Sequence, residues 1–368
     1  MPFGGASQVR LVVLGLGLSS RFDNPHAATF RSLLKALAAR DHRILFLERD
    51  LPWHAANRDL TDPDYCRLEF YSAFGQLDRW RNEIIDADAV VIGSRVEQGV
   101  QIARYVQRQA RGITAFYDLE TPETLARLDR CEFHYLSPAV IPGYDVYLSV
   151  TGGPTLAYIE ERYGSPAARA LYDFVDPDGC WPADVPKSWD LSCVGVESPD
   201  AHQLALLLEA ALRLPDRRFL VAGPALPKNV DWPANVDRIE PCSPSGHAEL
   251  YRASRFTLDP TAADRTARGW SPCALLFEAA ACEVPVITRG WPGLDGFFEP
   301  NRDILVAGSA EQAVEILERM DNVAAAAIGR AARSRAMTGH TVWERAAELE
   351  CYLYEAGAAA AVELSRAS

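Results

Sequence analysis

Glu278 stands inside the apolar run LLFEAAAC, and Ser271-Pro272 lies seven positions before it. Serine is a favoured helix N-cap and proline suits the first helical position. A helix starting there presents unpaired backbone N–H groups, which suit a phosphate. Glu278 would then lie about two turns on, roughly 10 Å along the axis. That separation fits a nucleoside diphosphate, with phosphates at the helix start and a ribose hydroxyl pair near the carboxylate. It fits equally well a core helix whose glutamate simply reaches solvent. Arg265 and Arg268 precede the helix in DRTARGW. Either can offset diphosphate charge through a bidentate fork, or sit as a solvated loop cation.

A second set lies in the N-terminal half. Gly15, Gly17 and Ser19 follow an apolar strand in VVLGLGLS. Such a loop lets a sugar or phosphate approach closely. His26 opens the next helix, and an imidazole there can take a proton from a hydroxyl or bind phosphate. Asp118 and Glu120 follow the strand GITAFY, at the edge where open α/β sheets bind ligands. Either can be a base or a sugar-hydroxyl acceptor, and capping of the Thr121-Pro122 helix start accounts for one of them. Thr151, Gly152 and Gly153 repeat the loop-to-helix device.

Strands and helices alternate around these residues. Apolar strands are predicted at Val9–Leu18, Arg43–Glu48, Ala87–Gly93, Gly112–Tyr117 and Asp145–Val150. A second series follows at Leu191–Val196, Arg218–Gly223, Arg255–Pro260 and Val284–Thr288, with helices near 200–213, 244–253, 272–282 and 309–320. Near-continuous apolar strands separated by helices imply parallel sheets covered on both faces. Between the series lies DFVDPDGCWPADVP, whose Pro177, Pro182 and Pro186 mark a linker. A chain of 368 residues suits two domains.

The segment SPCALLFEAAACEVP resembles the donor-binding part of GT-B glycosyltransferases, and more closely the spore-maturation-protein (CgeB-like) type, with its "SPS-x-x-LFEAAACG-x-P". YDLETPETLARL, TGGPTL and RFLVAGP extend the likeness over most of the chain, and NPHAATFR is similar to the family's "N-G-H-A-T-T-Y-R". The resemblance implies an α/β fold class of two Rossmann-like domains facing each other across a cleft, with a C-terminal helix crossing back. The boundaries expected are 1–174 for the acceptor domain, 187–340 for the donor domain and 341–368 for the returning helix. It implies that Glu278 binds the donor ribose, that Ser271, Pro272 and Cys273 lie beneath the phosphates, and that Lys228 is a phosphate-binding base. Ile239 and His247 would line the nucleotide base. Four positions depart from the pattern. Leu275 replaces an arginine, Glu283 replaces the glycine that ends the helix, and Trp270 stands where the larger retaining group has a second glutamate. Pro25 likewise replaces a glycine.

The expected activity is sugar transfer from a nucleoside diphosphate sugar, UDP-sugar favoured, to a hydroxyl, with a lean towards retention. No permanent cofactor is expected, and no metal, because Asp62-Pro63-Asp64 and Asp176-Pro177-Asp178 lie in proline loops. The alternatives are a GT-B protein that binds without transfer, and an NAD-dependent oxidoreductase. The latter rests on Gly15-Leu16-Gly17, but Ser20 stands where the third glycine belongs, and its ribose acid is ambiguous between Glu48 and Asp50. With 37 basic and 50 acidic residues, the net charge of −13 speaks against a nucleic-acid acceptor. Eight scattered cysteines lack zinc spacing and read as free thiols of a bacterial cytoplasm. No run approaches a membrane span.

Overall fold

The computed structural model describes residues 8–22, 24, 26–196, 202–242, 246–261 and 263–367. The chain divides into two compact units, Met1–Tyr172 with Trp343–Ser368, and Asp173–Val342. Pro25 and Ser243–Ser245 lie outside the described residues.

The first unit holds one parallel sheet. Its strands are β1 (Arg10–Gly15), β2 (Arg43–Arg49), β3 (Arg67–Tyr71), β4 (Ala89–Gly93), β5 (Ile113–Asp118), β6 (Val146–Ser149) and β7 (Ala168–Ala170), in spatial order β3-β2-β1-β4-β5-β6-β7. β1, β4 and β5 are buried almost throughout because helices cover both faces. On one face Val12, Val90, Ile102, Phe116 and Tyr147 share a core. Burying side chains of this size contributes about 1.5–3 kcal/mol each. The order reverses between β1 and β4, which opens the crevice where such sheets bind ligands. The C-terminal helix Val342–Ala367 joins this unit. Its Glu350 pairs with Arg40 and His42, and its Tyr352 donates to the Ala170 carbonyl at 3.1 Å.

The second unit repeats the plan with β8 (Trp189–Val194), β9 (Phe219–Ala222), β10 (Val236–Ile239), β11 (Ser254–Leu258), β12 (Val286–Thr288) and β13 (Leu305–Val306), ordered β10-β9-β8-β11-β12-β13. Its switch point lies between β8 and β11. The segment 173–186, read as a linker, belongs to this unit, with Val175 bridged to Thr341.

Three edge strands escaped the sequence reading. β3, β7 and β10 carry mixed polar residues and are only partly covered, so none shows a continuous apolar run. The helix Asn322–Gly339 also escaped it. Its seam is Ala325, Gly329, Ala332 and Ala336, small residues with little hydrophobic contrast. Gly329 is needed for close approach, since a Cβ there would stand 2.1 Å from the Glu283 carbonyl oxygen.

Candidate functional site

The Glu278 helix spans Ala274–Ala281 and buries Leu276, Phe277 and Ala279–Ala281. Phe277 anchors it by stacking on His340 with ring centroids 4.7 Å apart. The helix begins later than the sequence predicts, because Cys273, in extended conformation and without a side-chain cap bond, is the N-cap. Ser271 and Pro272 stay outside it. The Ser271 hydroxyl is fully buried and accepts from Arg265 Nε at 3.1 Å. Glu278 therefore lies four residues into the helix, about 6 Å from its first residue rather than 10 Å.

Glu278 meets His247, the first residue of the helix His247–Arg252, with Oε2 3.3 Å from Nδ1. The His247 side chain is 9% exposed and that of Glu278 is 24% exposed. Oε1 has no hydrogen bond among the described residues. Two residues singled out separately in the sequence thus form one polar pair, with His247 buried and Glu278 partly exposed. A half-buried carboxylate steadied by an imidazole is suited to accept from a pair of sugar hydroxyls.

Arg265 takes a different role. Its guanidinium pairs with Asp173 at 2.6 Å and reaches the Pro272 carbonyl at 3.4 Å, so it ties the segment before the helix to residue 173. Arg268 is exposed. The Trp270 indole lies against Gly293, where a Cβ would be 2.3 Å from Trp270 Cδ1. Leu275, at the family's arginine position, covers Gly195 at the end of β8 in the same way, and a Cβ on Gly195 would stand 2.2 Å from Leu275 Cδ1. Among the described residues neither Lys228 nor Ile239 hydrogen-bonds or pairs with Glu278 or His247. Lys228 is exposed on a cavity of about 490 Å³ with Trp232, Arg238 and Glu240, and the Ile239 carbonyl accepts from the Gly223 N–H at 3.2 Å.

The sequence reading passed over Asp259, which follows β11 and is 1% exposed. It accepts from the Thr261 N–H and hydroxyl at 3.0 and 2.6 Å and from Thr288 at 2.9 Å. Burial and the Asp259 charge push the Cys273 thiol up to about 12, so Cys273 is a neutral thiol beside this carboxylate. The only sequence signal was an acid directly after a buried strand.

In the first unit His26 and Glu120 come together, with Nε2 3.6 Å from Oε1. Arg95, from the loop after β4, pairs with the same carboxylate. Burial pushes Glu120 up, but His26 and Arg95 outweigh it and hold the carboxyl below its usual range. Asp118 points inward instead. It accepts from Thr124 and Tyr147 hydroxyls, each at 2.6 Å, and from the Glu120 N–H at 3.2 Å. Burial pushes its carboxyl up to about 6 against those hydrogen bonds.

The loop after β1 is already filled. Glu48 accepts from the Leu18 and Ser19 N–H groups at 2.6 and 2.8 Å and from the Ser19 hydroxyl at 2.6 Å. A carboxylate so engaged is not available to a ribose, and the amides it holds are not available to a pyrophosphate, which disfavours the dinucleotide reading. Gly15 and Gly17 are packing glycines, a Cβ meeting Phe46 at 2.4 Å and Asn24 at 2.7 Å respectively. His54, also unread in the sequence, is 1% exposed beside Gly17, and neither ring nitrogen has a hydrogen-bond partner among the described residues. Thr151 is buried with its N–H on Ser149, Gly152 packs on the Tyr172 ring, and Gly153 turns the chain at φ 64° into the helix Pro154–Tyr163. Among the described residues no group of three acids, histidines or cysteines is placed to hold a metal, and no helix is long and apolar enough to cross a membrane.

Residues 202–350 match the family described as glycosyl transferase-like. This stretch contains Lys228, Ile239, His247, Arg265, Arg268, Trp270, Ser271–Cys273 and Glu278. No curated protein matches the sequence. Among solved structures, sucrose-phosphate synthase from Thermosynechococcus elongatus is similar at 16% identity and a TM-score of 0.66, covering 98% of this chain and 100% of that one. HepE of Anabaena in complex with UDP is similar at 14% identity and a TM-score of 0.67, covering 94% and 100%. AviGT4, a glycosyltransferase of avilamycin A biosynthesis, is similar at 15% identity and 0.60, covering 95% and 98%. The chain thus has the GT-B fold of two parallel-sheet α/β units, and residues 202–350 are similar to the glycosyl transferase-like family.

Proposed function

We propose that the protein transfers a sugar from a nucleoside diphosphate sugar, with UDP the favoured nucleotide, to a hydroxyl acceptor. The observation that carries this reading is the Glu278–His247 pair, held at 3.3 Å one turn into a helix of the stretch similar to the glycosyl transferase-like family. Glu278 accepts from the donor ribose and His247 orients it. The residues 271–273 approach the diphosphate through their backbone, and Arg265, bound to Asp173, fixes their course. Exposed Arg268 and Lys228 are the candidate cations for the leaving diphosphate. Stabilising charge that develops on the leaving group is where such sites gain most. HepE, which binds UDP in its complex, supports UDP over other nucleotides.

On the acceptor side we assign proton removal to Glu120 with His26. Glu120 is ionised, in the form that can accept a proton although the flanking imidazole and guanidinium weaken it as a base, whereas both Asp118 oxygens serve the fold. The reaction proposed is metal-independent and retaining, of the spore-maturation-protein type. Incubation with UDP-sugars and a hydroxyl acceptor panel, read by UDP release and by the anomeric configuration of the product, tests it. Turnover lost in Glu120→Gln and Glu278→Ala is the expected result, and inverted product contradicts retention.

Donor binding without transfer is the second reading. It is favoured by Leu275 at the family's arginine position and by the commitment of Arg265 to Asp173. Nucleotide binding with no turnover on any sugar would select it.

A further inference from the structure

We propose that the acceptor carries an oxyanion, a phosphate or a carboxylate, and that Arg49 and Arg95 hold it in a cavity beside Glu120. The acceptor role rests on the transfer reading above, whereas the anion site is defined by its own residues. The cavity measures about 460 Å³ and lies within the first unit. Three pieces of chain line it. Arg49 ends β2, Arg95–Gln98 lead from β4 into the helix Gly99–Gln109, and His134 and Tyr135 follow the helix Thr121–Asp129. The first two lie at the carboxyl edge of the sheet, where such sheets bind ligands. Gly99 lets the third piece close on the second, since a Cβ there would stand 2.4 Å from the Tyr135 carbonyl oxygen.

The lining favours an anion. Arg49 and Arg95 are its cations, His134 is an exposed imidazole, and Glu97 is the acid among the lining residues. Arg49 Nη1 meets Glu97 at 3.1 Å and donates to Gln98 Oε1 at 2.8 Å, while Arg95 gives its Nε to Glu120. Neither arginine donates any other hydrogen bond among the described residues. Each therefore keeps N–H donors for a ligand, in the planar fork that matches an oxyanion bidentately. The Arg49 side chain is 20% exposed, so an ion pair there is screened less than on the open surface. The backbone is committed as well. Arg95 and Gln98 are left-handed, at φ 60° and 58°. Non-glycine residues held in this way gather at ligand clamps.

Arg95 couples the anion to the chemistry. It lines the cavity and also pairs with Glu120, which His26 faces from the start of its helix and Asp118 from the end of β5. With Arg95 and His26 holding its carboxyl low, Glu120 is a weak base. An oxyanion on Arg95 offsets the guanidinium and brings negative charge near the carboxylate, which raises that carboxyl. The base thus gains strength when an acceptor bearing the anion is in place, and a neutral sugar leaves it weak.

Full-length protein is titrated by calorimetry with sugar phosphates, uronic acids, their neutral parent sugars and inorganic phosphate. At least one sugar phosphate or uronic acid should bind, with its neutral parent much weaker, and the class that binds identifies the anion. Arg49→Gln and Arg95→Gln should each weaken that binding by about tenfold or more. Glu278→Ala should bind it as wild type does. Neutral parents binding as well as the anions, affinity unchanged in both arginine variants, or no binding by any sugar anion would overturn the proposal. Binding of inorganic phosphate alone would also overturn it, since the anion would then not belong to an acceptor. The comparison of anion with parent needs no variant to fold. Sugar-anion binding through the arginines without turnover on any UDP-sugar would contradict the transfer reading and leave the anion site standing.

Discussion

Asp118→Asn separates the two neighbouring carboxylates by asking which one belongs to the fold. Asp118 is fully buried, and burial pushes its carboxyl up from 3.8 to about 6. In the unfolded chain it titrates near its ordinary value, so between these values the folded state binds the proton more tightly. Stability from this group is greatest below about pH 4 and is lost as pH rises through about 6. At about 1.4 kcal/mol per pH unit, the loss comes to about 3 kcal/mol. Asparagine keeps an oxygen for the Glu120 N–H and the Thr124 hydroxyl and offers an N–H to the Tyr147 oxygen. The assay is urea unfolding of both proteins across pH, with amide exchange in β5 reading the first unit separately. The gain of the variant over wild type should rise by about 3 kcal/mol between about pH 4 and about pH 7. Turnover should persist in it, while Glu120→Gln falls by about 10²-fold or more. Parallel pH profiles would refute the reasoning, and so would loss of turnover in a folded Asp118→Asn protein.

Four further outcomes are expected. Glu48→Ala leaves two buried N–H groups and a hydroxyl without their acceptor, so thermal melting should show a cost of at least about 2 kcal/mol, with Glu48→Gln milder. Gly329→Ala should destabilise by about 1–3 kcal/mol in urea unfolding, because the clash with the Glu283 carbonyl outweighs a helix-propensity gain of about 1 kcal/mol. Gly339→Ala, in the same helix with nothing within 4 Å, should be neutral or slightly stabilising. Sugar transfer should survive a chelator, and full loss rescued by manganese would contradict metal independence.

The central strands were legible because burial on both faces writes a continuous apolar run. β3, β7 and β10 were not, because an edge strand half open to water needs no such run. The helix Asn322–Gly339 hid for a related reason, since alanine and glycine seam residues resemble its exposed alanines. At the site, residue types and strand ends pointed to Glu278, His26 and Glu120, and the family resemblance pointed to His247. Their pairing is tertiary, as His247 and Glu278 are 31 positions apart. Arg265 was legible as a cation but not as a strut, because Asp173 lies 92 positions away. Glu283 shows the reverse case. Its position looked left-handed from the glycine it replaces, and its φ is 59°. That conformation costs a non-glycine residue about 1–2 kcal/mol. Arg333, 3.7 Å from the carboxylate, offsets part of it.

The claim that the second unit binds a nucleoside diphosphate through Glu278 is tested most directly by thermal shift. Wild type and Glu278→Ala are melted alone and with UDP, GDP, TDP, ADP, CMP or NAD(H). A ligand that binds only the folded state raises its stability by about 2.7 kcal/mol at a hundredfold excess over Kd. UDP should raise the melting temperature of wild type and leave that of Glu278→Ala where it was. A shift with NAD(H) alone, no shift with any diphosphate, or an equal UDP shift in the variant would contradict the account.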